Sequence, residues 1–138
     1  MNLQVASENS FEKLASDMGE MIESIHRVNY VGFDPSKTWK PPVNIYEKST
    51  CLIVCVELAG MRREEIDVQV APGQLTIRGS RPYPEWAREK RPYRLHKLEI
   101  HHGRFACTIA LPEGIDLDDT EAQYRNGYLW VRLSKQSD

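Results

Sequence analysis

The stretch E-A-Q-Y-R-N-G-Y-L-W-V-R-L, residues 121–133, decides the fold. Asn126-Gly127 stands between two runs in which apolar and polar residues alternate, the strongest short-range signal for a β-hairpin. Both residues tolerate positive φ, so a type I′ turn matches the right-handed twist of the flanking strands. Ala122 and Tyr124 then share one face of the first strand, and Leu129, Val131 and Leu133 share one face of the second.

The same period of two recurs upstream. Leu52, Val54, Val56 and Leu58 align in residues 51–58, and Ile66, Val68 and Val70 in residues 66–70. Leu75 and Ile77 follow the Pro72-Gly73 turn, and Phe105, Cys107, Ile109 and Leu111 align in residues 104–112. Short alternating strands separated by turn signals predict an all-β, immunoglobulin-like antiparallel β-sandwich.

The N-terminal part has a different period. In residues 8–29, Phe11, Leu14, Met18, Met21, Ile22, Ile25 and Val28 recur at three- and four-residue spacings and predict an amphipathic helix. Ser10 is placed to cap it. Gly32, Pro35, Pro41 and Pro42 make residues 30–42 a non-helical linker. The expected organisation is an N-terminal arm (1–38), one domain (39–135) and a short tail (136–138).

Composition narrows the function. Hydrophobic residues make up 41% of the chain and charged ones 28%, with a net charge of −2. This balance allows a packed core and gives no general reason to bind nucleic acid or an anionic membrane. No apolar run approaches the ~20 residues that cross a bilayer, and no secretory leader pattern is present. A cytoplasmic location is expected. Cys51 and Cys55 in one strand are about 13 Å apart at ~3.3 Å per residue, too far for a disulfide or a shared zinc. Three free, packed thiols are expected.

Chemistry-bearing motifs are missing. There is no G-x-S-x-G, P-loop, H-E-x-x-H or paired C-x-x-C. His101 and His102 are adjacent and point to opposite faces of a strand, which does not suit a metal. His96 with Cys107 is the remaining nucleophile–base pair by residue type, with nothing in the sequence to bring the two together. No catalytic, cofactor-binding or metal residue is assigned. Residues 80–94 form a long connection with Tyr83, Trp86 and Tyr93 among five basic and two acidic residues. A structureless loop of that length usually has a task, and docking on a second subunit is the one expected.

Several of these segments together resemble the α-crystallin domain of small heat-shock proteins, of bacterial type. Ala122, Gly127 and Leu129 resemble its terminal A-x-x-x-x-G-x-L signature, and residues 56–68 its D-x-P-G-x-x-K-E-D-I-x-V block. Residues 39–47 are similar to W-x-P-x-x-D-I-x-E, and residues 103–112 to G-x-F-x-R-x-x-x-L-P. Ala59 replaces the usual proline, and Cys107 stands where the family usually has arginine. The chain stops at S-K-Q-S-D, without the family's C-terminal I-x-I motif, which docks in a neighbouring subunit's groove and builds large oligomers. A homodimer or small homo-oligomer is therefore expected.

The resemblance implies an ATP-independent holdase chaperone for non-native client proteins. Phe11, Leu14, Met18, Met21, Ile22 and Ile25 are the expected client or subunit contacts. Tyr83, Trp86 and Tyr93 mark the dimer loop, which bacterial and plant members exchange between protomers, adding a strand to the partner's sheet. Val68, Val70, Ile109 and Leu111 are the expected groove. Leu3-Gln4-Val5 imitates the missing motif from the other end of the chain. Two rivals stay open: a co-chaperone module that binds one folded partner, and an enzyme.

Overall fold

A computed structural model describes residues 1–5, 38–88 and 93–137. The expected helix over 8–29, with its contact residues Phe11, Leu14, Met18, Met21, Ile22 and Ile25, lies outside the described residues. In the remainder, eight strands run in chain order. They are β1 (Asn2–Val5), β2 (Val43–Glu47), β3 (Cys51–Glu57), β4 (Ile66–Ala71), β5 (Gln74–Arg81), β6 (Gly103–Ala110), β7 (Ile115–Arg125) and β8 (Tyr128–Lys135). A 3-10 turn at Arg63–Glu65 and a short helix α1 at Glu85–Arg88 complete them.

Two four-stranded sheets form, ordered β1-β4-β5-β6 and β2-β3-β8-β7. Every pairing is antiparallel except β1 with β4, which is parallel. The sandwich expected from the alternation is thus present, with one parallel strand added at an edge. Its register follows the pattern: Val54 lies opposite Val131, Val56 opposite Leu129, and Val68 opposite Ile77. These side chains point between the sheets and are fully buried. Fully burying such a side chain is worth about 1.5–3 kcal/mol, so the matched inner faces hold the sheets together.

The closing hairpin has the expected two-residue turn. Asn126 has φ 54° and Gly127 φ 82°, and Arg125 pairs with Tyr128 across it. The turn also packs on the far end of β3. The Gly127 carbonyl accepts a hydrogen bond from Leu58 N at 2.8 Å, and a Cβ on Gly127 would lie 3.1 Å from the Ala59 Cβ. Gly79 meets a second close approach. A Cβ there would sit 2.7 Å from both the Glu65 carbonyl oxygen and the Phe105 ring, so the missing side chain is what lets that ring enter the core.

Candidate interaction surfaces

A sandwich of two open sheets has four edges, and each edge strand presents unpaired backbone groups that invite another strand. The four are treated differently here. Beside β6, Trp39 bridges Phe105: Trp39 N donates to the Arg104 carbonyl at 3.0 Å and Ala106 N donates to the Trp39 carbonyl at 3.2 Å. The indole N–H donates to the Gly103 carbonyl at 3.1 Å. The Trp39 ring also carries the Arg81 guanidinium 4.3 Å from its centroid, a cation–π contact. Buried Arg81 donates further to the carbonyls of His101 (2.8 Å) and Ala59 (3.3 Å) and lies 3.7 Å from the Glu57 carboxylate. His101 stacks on Trp39 as well. Trp39 thus covers this edge at Arg104–Ala106, and the roots of the long 82–102 connection are anchored beside it.

The β7 edge is guarded by charge. Asp118, Asp119 and Glu121 are exposed along it, and Arg132 of β8 reaches Asp119 at 3.4 Å and Glu121 at 3.3 Å. A hydrogen bond with Ser134, and then the Arg132 guanidinium, hold the Asp119 carboxyl below its ordinary value. Carboxylates kept ionised on an edge deter strand addition.

The β2 edge carries charge only at its end, where Glu47 lies 3.0 Å from Lys135 of β8. Ile45 is 53% exposed and Tyr46 49%, although Ile45 stands opposite Val54 on the inward face. Exposed apolar residues occur in the long connection as well. Tyr93 is 58%, Leu95 54% and Ile100 67% exposed within residues 93–100. Of the expected dimer-loop residues, Tyr83 is half-buried against His102, while Trp86 and Tyr93 touch each other edge-on at 5.4 Å and are otherwise exposed. Leu95, Leu98 and Ile100 extend the apolar strip beyond the 80–94 segment singled out by its aromatics. Their spacing in L-H-K-L-E-I is irregular, which is why period-two reading passes over them.

The fourth edge belongs to β4 and is covered by β1. Asn2, Leu3, Gln4 and Val5 pair with Asp67, Val68, Gln69 and Val70. Met1 and Leu3 are partly buried and pack against the core, and β1 also touches β7 in the opposite sheet. Val68, Val70, Ile109 and Leu111, the expected groove residues, are all buried between the sheets, the first two directly across from β1.

No arrangement for chemistry appears among these surfaces. Cys51, Cys55 and Cys107 are free and buried, as expected, and burial pushes the Cys55 and Cys107 thiols up, with Lys40 partly opposing this at Cys107. His96 is exposed on the long connection, whereas Cys107 is buried. Among the described residues no group of His, Cys, Asp or Glu is placed to hold a metal ion, and no helix is long and apolar enough to cross a membrane.

The architecture is a two-sheet β-sandwich whose four edges are treated differently. Residues 44–138 match the Hsp20/alpha crystallin family, and the chain belongs to that family, whose members are non-enzymatic small heat-shock proteins. The small heat shock protein IbpB of Serratia proteamaculans is 33% identical over 126 residues, covering 91% of this chain and 75% of that one. Heat shock protein 16 of Schizosaccharomyces pombe is 35% identical over 95 residues, covering 69% and 66%. The chain spans only 60% of a relative from Rickettsia felis and 54% of one from Arabidopsis thaliana. Among solved structures, heat shock protein 16.0 of Schizosaccharomyces pombe superposes with a TM-score of 0.61 at 33% identity, covering 72% of this chain and 92% of that one. A small heat-shock protein from Xylella fastidiosa gives 0.61 at 27% identity, covering 73% and 90%.

Proposed function

We propose that this protein is an ATP-independent holdase that binds partly unfolded proteins and slows their aggregation. Family membership supports a chaperone role. The observation that carries the finer reading is the combination of a β2 edge with Ile45 and Tyr46 exposed and a long connection whose Tyr93, Leu95 and Ile100 are more than half exposed. Unfolding clients present apolar segments and unpaired strand edges, and surfaces of the same chemistry cover them. The working unit is a homodimer or small homo-oligomer in which residues 93–100 of one protomer lie along the β2 edge of its partner. The N-terminal arm, through Phe11, Leu14, Met18, Met21, Ile22 and Ile25, adds client or subunit contacts, and its methionines suit varied partners. The protein acts in the cytoplasm, without nucleic acid, membrane or cofactor.

Light scattering from a heated client enzyme, without nucleotide, tests this. Equimolar protein is expected to suppress the scattering. Unchanged aggregation at every temperature, together with stoichiometric capture of one folded partner in a pull-down, would replace the holdase by a co-chaperone module.

A further inference from the structure

We propose that the N-terminal arm, through its apolar stripe in residues 8–29, docks across the outer face of the β1-β4-β5-β6 sheet of its own chain. The two points where the arm joins the described fold set its course. Val5 ends β1 at one edge of this sheet, opposite Val70, and Trp39 bridges Phe105 beside β6 at the other edge. The core fills the inner side, so the short route for residues 6–37 runs over the outer one. The outer face of the second sheet is reached only by turning round both edges. The register makes the two points opposite ends of a diagonal. Val70, Leu75 and Ile109 share one rung of the ladder, and Ile66, Gly79 and Phe105 share another four residues away. With strands about 4.8 Å apart and ~3.3 Å per residue, the diagonal is about 23 Å long. A helix over residues 8–29 is about 33 Å long and spans it.

Burial follows this diagonal. Gln69 of β4, Thr76 and Arg78 of β5 and Ala106 of β6 lie along it and face outward, because their neighbours Val68, Ile77 and Cys107 point into the core. Thr76 is 1% exposed and Ala106 9%, while Gln69 and Arg78 are half-buried. Away from the diagonal, Asp67 on one side and Thr108 and Ala110 on the other are exposed. A face that is dry along a stripe and wet on both sides of it carries a rod along the stripe. The Thr76 hydroxyl adds a second sign, since it has no hydrogen-bond partner among the described residues. On an open face water would bond it, so what lies over it is apolar. The arm is the apolar segment that the chain brings to this place, with Leu14, Met18, Met21, Ile22 and Ile25 on one side of the expected helix. Small side chains at Thr76 and Ala106 let those larger ones approach the sheet. Charge agrees: residues 8–29 hold Glu8, Glu12, Asp17, Glu20 and Glu23 against Lys13 and Arg27, and the basic Arg78 and Arg104 border the diagonal. This docking stands whether or not the holdase reading does.

The test uses full-length chains with one added cysteine, since Cys51, Cys55 and Cys107 are buried. Thr76→Cys is expected to react with a thiol reagent at least about tenfold more slowly than Thr108→Cys, as for a face covered at least nine-tenths of the time. Adding Met18→Asp with Ile22→Asp puts two carboxylates under the arm. Position 76 then reacts about as fast as position 108, whose rate does not change. Equal rates at the two positions with the arm intact overturn the proposal. So does a Thr76→Cys that stays slow with the arm substituted, because neighbouring side chains alone would then bury the site. Pairing Thr76→Cys in turn with Leu14→Cys, Met18→Cys or Met21→Cys gives a measurement that needs no charge in the arm. Under mild oxidation at least one pair is expected to form a disulfide at monomer mass on a non-reducing gel. No disulfide from any pair overturns the docking, and a disulfide-linked dimer places a second copy's arm there and overturns the own-chain seat. Docking as expected with no suppression of client aggregation would remove the holdase reading alone; intact suppression without docking would remove this proposal alone.

Discussion

Gly127 shows how one residue serves two constraints. Its φ of 82° is the left-handed conformation that the type I′ turn needs, and its missing side chain lets Ala59 approach. Gly127→Ala is expected to lower stability by about 1–2 kcal/mol from the backbone term alone. For a domain of this size that lowers Tm by roughly 4 °C or more, measurable by thermal melting; an unchanged Tm would mean the turn adopts another geometry. The first constraint is legible in the Asn-Gly pair, and the second is not, because Ala59 is distant in sequence. Arg81 is the opposite case. At the end of an alternating strand it reads as a surface charge, yet it is buried on Trp39 with carbonyls of two loops as acceptors. Only the folded chain brings those acceptors together.

At the scale of elements, the four edges are not equivalent. β6 is covered by Trp39 at Arg104–Ala106, β7 is lined with carboxylates, β4 carries β1, and β2 is left with Ile45 and Tyr46 exposed. If residues 93–100 of a partner cover β2, then Ile45→Lys or Leu95→Lys each costs most of one buried apolar side chain. The dimer dissociation constant is then expected to rise about tenfold or more, as read by sedimentation at graded concentrations. Circular dichroism should be unchanged, since both positions are exposed within one protomer. Equal dissociation constants for native and substituted chains would remove this edge from assembly. The alternation of β3, β4, β5, β6 and β8 is legible in sequence because each buries one face. The strip at Leu95, Leu98 and Ile100 is not, since an unpaired segment imposes no period.

For the molecule as a whole, the three cysteines report on the integrity of both sheets. Cys51 and Cys55 are on β3 in one sheet and Cys107 is on β6 in the other, all buried. With Cys55 and Cys107 shielded and their thiols pushed up by burial, little thiolate is available at pH 8. A disulfide reagent at that pH is expected to modify them at least about tenfold more slowly in the folded chain than in denaturant. Modification of Cys107 at the free-thiol rate would contradict a closed core. The sequence by itself determined the sandwich, the hairpin that ends it and the faces that form its core, because burial of alternate residues is a local property of each strand. Which edges are guarded, open or covered was decided only by the tertiary structure. Edge status depends on what lies beside a strand in space, and here those neighbours are as far apart in the chain as Leu3 and Val68 or Trp39 and Phe105.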